Sequence, residues 1–195
     1  MCQASDMAVR LVAIIAALLL WTPAVQPVFA RADIAQAKAT GGIVALYPSD
    51  LDAHVLAIPG GTPPEELHLT LVDYGQDVSG LTDVELRRRL SDVVAGHPEP
   101  IEAQVFGHAV FNPNDAQRGP STVYIVGDSP ELASLRQQVL SLSQELFEPP
   151  VQHEPWVPHM TAGYSALETE LKYTGTVRFD RIGLSWAGCK TYWPL

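Results

Sequence analysis

Two kinds of hydrophobic periodicity alternate along the chain. Apolar residues at helical spacing follow Ser129-Pro130, and a second helical stripe follows a capping box at Thr82 to Glu85. Short apolar runs bounded by proline, glycine or polar clusters predict strands between these helices. The predicted strands cover residues 43–47, 67–71, 101–111, 122–126, 158–162, 177–186 and 190–193. The predicted helices cover residues 52–58, 82–96 and 130–146, with a weak one at 166–173.

The order of these elements has two halves of similar plan. Each half contains a strand with the pattern His-x-Thr, at His68 and at His159. This arrangement favours an α+β fold, in which two small sheet-and-helix lobes face one another, over alternating parallel βαβ units. The last two predicted strands form a terminal hairpin or an edge pair.

The N-terminal 30 residues have the composition of a secretory signal peptide. Arg10 precedes an apolar run from Leu11 to Trp21, and small residues precede a cleavage site at Ala30. An uncleaved membrane anchor is the second interpretation, and a mis-assigned start before a cytoplasmic domain is the third. We therefore predict a signal peptide or anchor at 1–30, a linker at 31–42 and one domain at 43–195. The protein is then exported or membrane-tethered, and membrane contact is limited to this segment.

Charge and cysteine content restrict the partners. The chain has 12 Lys and Arg against 22 Asp and Glu, a net charge of -10, which disfavours tight binding of long nucleic acids. Small phosphate esters and nucleic-acid ends remain compatible with this charge. The two cysteines exclude a zinc site of the cysteine-cluster type.

The two His-x-Thr runs are the chemically informative motifs. They read Leu67-His68-Leu69-Thr70-Leu71 and Pro158-His159-Met160-Thr161-Ala162. Residues i and i+2 of a strand project from the same face, so each imidazole shares its face with a hydroxyl, opposite the apolar residues. One such pair is more often structural, but two together predict a site with paired acid-base groups.

Paired histidines suit displacement at phosphorus without a metal. One imidazole takes a proton from water and the other gives a proton to the departing alkoxide, since histidine titrates near neutral pH. Threonine hydroxyls donate hydrogen bonds to the non-bridging phosphate oxygens. This chemistry requires no cofactor.

In both motifs the sequence resembles the 2H phosphoesterase superfamily, in particular its 2′-5′ RNA ligase and cyclic phosphodiesterase branch. The resemblance covers residues 43–195 and implies a bilobal α+β fold, with two antiparallel-sheet lobes and outer helices around a central cleft. It implies His68 and His159 as the catalytic acid-base pair and Thr70 and Thr161 as the phosphate-binding hydroxyls. It also implies metal-independent opening of 2′,3′-cyclic phosphates of RNA ends or of small cyclic nucleotides, with 2′-5′ ligation as the reverse reaction. Ala162 stands where many members carry a bulkier apolar residue.

Four further residues are candidate substrate contacts. Tyr74 and Tyr164 follow the motifs closely, and an aromatic ring there would stack on a base, although core packing is the alternative for at least one of them. Arg118 lies in a polar loop and is a candidate cation at the cleft edge. Trp156 is a candidate cleft wall or core anchor. We expect no metal site and a monomer.

Two other classes of function compete with this interpretation. The chain is alternatively an exported, non-catalytic module that binds a phosphorylated ligand, or a metallohydrolase. The presence of both His-Thr pairs favours the enzyme, because a binding module has Arg or Lys available for the same purpose. Sensitivity to a chelator distinguishes the metallohydrolase.

Overall fold

The computed structural model describes residues 39–114, 119–127, 129–164 and 170–195. The predicted leader, and the predicted linker up to residue 38, lie outside the described residues. The strands are β1 Gly42–Pro48, β2 Leu69–Gly75, β3 Ile101–Phe111, β4 Ser121–Val126, β5 His159–Tyr164, β6 Gly175–Trp186 and β7 Cys189–Pro194. The helices are α1 Asp50–Leu56, α2 Val84–Ala95 and α3 Pro130–Leu146, with a 3₁₀ turn at Pro64–Glu66.

The seven strands form antiparallel pairs in which β6 holds the central position. Its first half pairs with β3, and its second half lies between β1 and β7. The order β1-β2-β5-β4-β3-β6 therefore closes on itself, because β6 also pairs with β1. The two halves, β2-β1-β6-β7 and β5-β4-β3-β6, correspond to the two predicted lobes and share β6. The predicted α+β class with antiparallel lobes is confirmed, and the last two strands form the predicted terminal hairpin, in which β6 is central and β7 lies at the edge.

Helix α3 forms for the reasons that the sequence indicated. The Ser129 side chain accepts a hydrogen bond from the Leu132 amide at the N-terminus, and Pro130 occupies the first turn. The apolar stripe is fully buried at Leu132, Leu135 and Val139. It packs α3 against β2, while α2 packs against α3 and β7. These helices cover one face of the sheet and leave the opposite face for other contacts.

The predicted capping box of α2 is wrong, although the helix is confirmed. The N-cap residue is Asp83, and its side chain makes no capping hydrogen bond. Asp83 instead pairs with Arg87 at 2.5 Å, and Glu85 bonds to Arg88 and Arg89. These two arginines lower the pKa of the exposed Glu85 carboxyl to about 2. The carboxylates of the first turn therefore form ion pairs along the helix surface instead of bonding to the backbone amides.

Leu69 and Met160 lie in the centre of the core, and both are fully buried. Alternate residues of their strands consequently face away from the helices. Residues 170–174 have no regular secondary structure, so this part of the weak helix predicted at 166–173 is wrong, and residues 165–169 lie outside the described residues. Within the described ranges, no helix is long and apolar enough to cross a bilayer.

Candidate active site

The two motifs meet where β2 pairs with β5. Leu69 is the register partner of Met160 in this antiparallel pair. One step along the register on either side places His68 opposite Thr161 and Thr70 opposite His159. Because Leu69 and Met160 point into the core, all four motif side chains lie on the other face. Each of these four side chains is half-buried, so the cluster is accessible to solvent.

Both imidazoles are held by the same local hydrogen bond. Nδ1 of His68 donates to the Glu66 carbonyl at 2.6 Å, and Nδ1 of His159 donates to the Val157 carbonyl at 2.8 Å. A carbonyl oxygen only accepts hydrogen bonds, so the proton of each neutral ring is on Nδ1. Nε2 then carries the basic lone pair in both rings. The turns that precede the two strands therefore set the same tautomer twice.

An aromatic ring from another strand flanks each imidazole. Tyr47 of β1 lies 5.7 Å from His68 between ring centroids, and Phe111 of β3 lies 4.8 Å from His159 in an edge-to-face arrangement. Tyr47 is only 2% exposed, and its burial raises the pKa of its hydroxyl far above the ordinary value, with a further contribution from Tyr192. These rings limit the rotation of the imidazoles and give the site apolar walls.

Gly183 makes room for this aromatic wall. A Cβ atom at position 183 would lie 2.4 Å from Cε2 of Tyr47 and 3.0 Å from Cδ1 of Tyr192. The two tyrosine rings themselves meet edge to face at 5.1 Å. The absence of a side chain on β6 therefore allows Tyr47 to lie across the sheet next to His68.

Tyr164 lies on the same face as the motifs. It is the register partner of Ser121, and Ser121 is also the partner of Phe111, whose ring contacts His159. Directly opposed residues of antiparallel strands share a face, so Tyr164 belongs to the wall that contains Phe111. Its side chain is 42% exposed and accessible to a ligand.

Tyr74 and Trp156 pack against α3 instead, which is the core-packing alternative that the sequence left open for each. Tyr74 is 6% exposed, packs edge to face against Trp186 and shares a hydrogen bond with Ser143 of α3. The ring of Trp156 lies 4.7 Å from the guanidinium of Arg136, which is buried on α3. Both residues therefore serve the packing of α3 on the helix-covered face. Arg118 lies outside the described residues.

Sequence reasoning missed Tyr47, Phe111 and Arg181 as neighbours of the motifs. Tyr47 and Phe111 end apolar strand runs, so they read as core residues, and Arg181 stands in a strand far from both motifs. Only the strand register brings them to the site, since Tyr47 is opposite Arg181 on β6. Within the described residues, no group of three or more His, Cys, Asp or Glu side chains is placed to hold a metal ion.

Comparisons with known proteins identify the family and agree with the fold. Residues 50–181 match the 2′-5′ RNA ligase superfamily. Among solved structures, TT0787 of Thermus thermophilus matches with a TM-score of 0.50 and 19% identity, over 80% of this chain and 94% of that chain. A protein described as a phosphoesterase matches with a TM-score of 0.50 and 18% identity, over 80% and 95% of the two chains. No curated protein matches the sequence. Since the family match spans most of the chain, the protein belongs to the 2′-5′ RNA ligase superfamily of 2H phosphoesterases.

Proposed function

We propose that the protein is a cyclic phosphodiesterase that hydrolyses 2′,3′-cyclic phosphates at RNA ends or in small cyclic nucleotides. The observation that carries the proposal is the shared arrangement of His68 and His159. They lie diagonally across one antiparallel strand pair, on one face, and each has Nδ1 bonded to a carbonyl. Two imidazoles with basic Nε2 atoms on one face suit the two proton transfers of a single displacement.

The proposed reaction proceeds in line at phosphorus. One histidine takes a proton from water as the water oxygen forms a bond to phosphorus. The bond from phosphorus to one ribose oxygen breaks, and the other histidine, in its protonated form, gives its proton to that oxygen. The product is a ribose phosphate monoester with one free hydroxyl. Either histidine can be the base, because both make the same Nδ1 contact.

Thr70 and Thr161 are proposed to bind the non-bridging oxygens. Each lies opposite the histidine of the other motif, so the hydroxyls and the imidazoles alternate around one position. Hydroxyl donors there stabilise the negative charge that moves onto these oxygens in the transition state. Tyr164 is proposed to stack on the base of the terminal nucleotide, because it is exposed on the same face.

The test is hydrolysis of adenosine 2′,3′-cyclic phosphate in the presence of EDTA. The variants are His68→Ala and His159→Ala, with His54→Ala as the matched control, since His54 is an exposed histidine on α1. Each motif variant is expected to lose about 10² or more in kcat/KM, because each removes one general acid-base group. The control should retain the wild-type rate.

Each alternative predicts a different result. Binding of the nucleotide without turnover by the wild-type protein would indicate a non-catalytic module. Loss of activity in EDTA would indicate a metallohydrolase. Equal rates in the wild-type protein and in both motif variants would contradict the acid-base proposal.

A further inference from the structure

Arg181 is a cation that the strand register places two strands away from His68, on the same face of the sheet. Leu46 pairs with Leu69, which puts Tyr47 beside His68, and Tyr47 is the register partner of Arg181 on β6. The order across the three strands is therefore His68, Tyr47, Arg181. Neighbouring strands are about 4.8 Å apart, so the Cα atom of Arg181 lies roughly 10 Å from the Cα atom of His68.

The guanidinium of Arg181 has weak and replaceable partners. One Nη2 bond of 3.0 Å reaches Asp50, whose side chain is 85% exposed, and Nη1 lies 3.4 Å from Asp180. The guanidinium carbon is 6.0 Å from the centre of the Tyr192 ring. An ion pair with so exposed a carboxylate contributes little to stability, because water competes for both partners. A substrate phosphate would displace Asp50 and accept two parallel, charge-assisted hydrogen bonds from the Arg181 guanidinium.

Other arginines are committed to separate contacts. The basic run of α2 is neutralised by its own helix and by α3, through Arg87 with Asp83, Arg88 with Asp92 and Arg89 with Glu145. Arg136 is buried under Trp156. In a chain with a net charge of -10, a cation next to the motifs is a specific feature, because the overall field repels phosphate.

The geometry points to Arg181 as the residue that binds a second phosphate, the phosphodiester that precedes the terminal nucleotide of an RNA end. This inference rests on the proposed function and names the substrate class of the same site. The reacting phosphate lies between the histidines and the threonines, and Arg181 is displaced from His68 across two strand spacings. That displacement suits the next phosphate of an oligonucleotide rather than the reacting one. The substrate class is therefore an RNA end of at least two nucleotides rather than a free cyclic mononucleotide.

The experiment compares kcat/KM for two substrates that share the reacting group. One is adenosine 2′,3′-cyclic phosphate, and the other is a diadenosine dinucleotide that ends in a 2′,3′-cyclic phosphate. The variants are Arg181→Gln, Arg181→Lys and Asp50→Asn, with Arg178→Gln as the control, since Arg178 is an exposed arginine of the same strand. The quantity compared is the ratio of kcat/KM for the dinucleotide to kcat/KM for the mononucleotide.

Arg181→Gln is expected to lower this ratio by about tenfold or more, because it removes a charge-assisted contact to the second phosphate. Arg181→Lys should lower it less, since the charge remains without the bidentate geometry. Asp50→Asn should leave the ratio unchanged or raise it, since it removes the competing carboxylate. The slope of log(kcat/KM) against log(salt) for the dinucleotide should also become shallower by about 0.7 in Arg181→Gln.

Two results would overturn the inference alone. An unchanged ratio in Arg181→Gln would show that Arg181 does not distinguish the two substrates. An equal fall in Asp50→Asn and Arg181→Gln would assign the effect to the ion pair between β6 and α1. Failure of the wild-type protein to hydrolyse either substrate is a different outcome, which would overturn the proposed function and this inference with it.

Discussion

Leu69 of β2 pairs with Met160 of β5, and this single register pair brings the two motifs together. Both residues are fully buried, which fixes the register, because a slip of one position would turn either side chain out of the core. The same constraint keeps the histidines and threonines on the opposite face. Core packing on one side of the strand pair thus determines which side chains share the other side.

The role of the threonine hydroxyls can be tested separately from the role of the branched side-chain shape. Thr70→Val and Thr161→Val keep the branched side chain and remove the donor, so each should lower kcat/KM for a cyclic phosphate by about 10²-fold. Thr70→Ser and Thr161→Ser keep the hydroxyl and should retain most of the activity. Serine and valine variants with equal losses would show that the hydroxyls bind no phosphate.

The tautomers of the two imidazoles are directly measurable. Nitrogen-15 NMR, at a pH where both imidazoles are neutral, should show the proton on Nδ1 in both His68 and His159. Each Nδ1 faces a carbonyl oxygen, at 2.6 Å for His68 and 2.8 Å for His159. A predominant Nε2–H tautomer in either ring would contradict the assignment of Nε2 as the atom that transfers protons.

Gly61 joins the turn before β2 to the strand that bears His159. The Thr62 amide donates to the Ala162 carbonyl at 2.7 Å, and a Cβ atom at position 61 would lie 2.4 Å from that same oxygen. Gly61→Ala should therefore destabilise the protein by about 1–3 kcal/mol, because backbone must move to relieve the contact. Urea unfolding measures this change in stability.

Gly80→Ala is the matched control for that substitution. No atom lies within 4 Å of the position that its Cβ would occupy. Its free energy of unfolding should stay within about 0.5 kcal/mol of the wild-type value. A loss at Gly80 as large as the loss at Gly61 would show that the contact with β5 is not the cause.

Buried tyrosines predict instability at alkaline pH. Burial raises the pKa of Tyr74 to about 12, and it also raises the pKa of Tyr47 and Tyr124. A tyrosine of the unfolded chain titrates near 10. The stability that these neutral hydroxyls contribute is therefore present below pH 10 and is lost as pH rises from about 10 towards the folded values.

The free energy of unfolding in urea at pH 8, 10 and 11 measures this dependence. The wild-type protein should lose stability between pH 10 and pH 11. Tyr74→Phe should lose less between pH 10 and 11, because it removes one titrating group. The same decline in Tyr74→Phe and in the wild-type protein would exclude Tyr74 as a contributor.

Local patterns were sufficient to predict most of the elements and the shared face of each His-Thr pair. The stripe that begins at Leu132 gave α3, and spacing by two residues placed His68 with Thr70 and His159 with Thr161. The capping box failed because Asp83 and Glu85 have arginines within reach at i+3 and i+4, a competition that a cap pattern does not consider.

Long-range neighbours could not be predicted from one sequence. Tyr47 lies beside His68, and Phe111 beside His159, only because particular strands pair in a particular register. Tyr74 lies four residues after Thr70 and Tyr164 three residues after Thr161, so strict alternation would put Tyr74 on the site face and Tyr164 in the core. Two register shifts reverse these faces. The shift between Val44 and Ala45 of β1, which pair with Val72 and Thr70, turns Tyr74 into the core. The shift between Thr122 and Val123 of β4 returns Tyr164 to the site face.

In the proposed mechanism, both imidazoles act on one phosphorus atom from opposite sides. A crystal structure of the protein with a nucleoside vanadate measures this most directly, because the vanadium centre imitates the trigonal-bipyramidal transition state. We expect Nε2 of His68 and Nε2 of His159 each to lie about 2.6–3.2 Å from a different apical oxygen. A complex in which both nitrogens contact the same oxygen, or in which either ring is out of reach, would contradict the account.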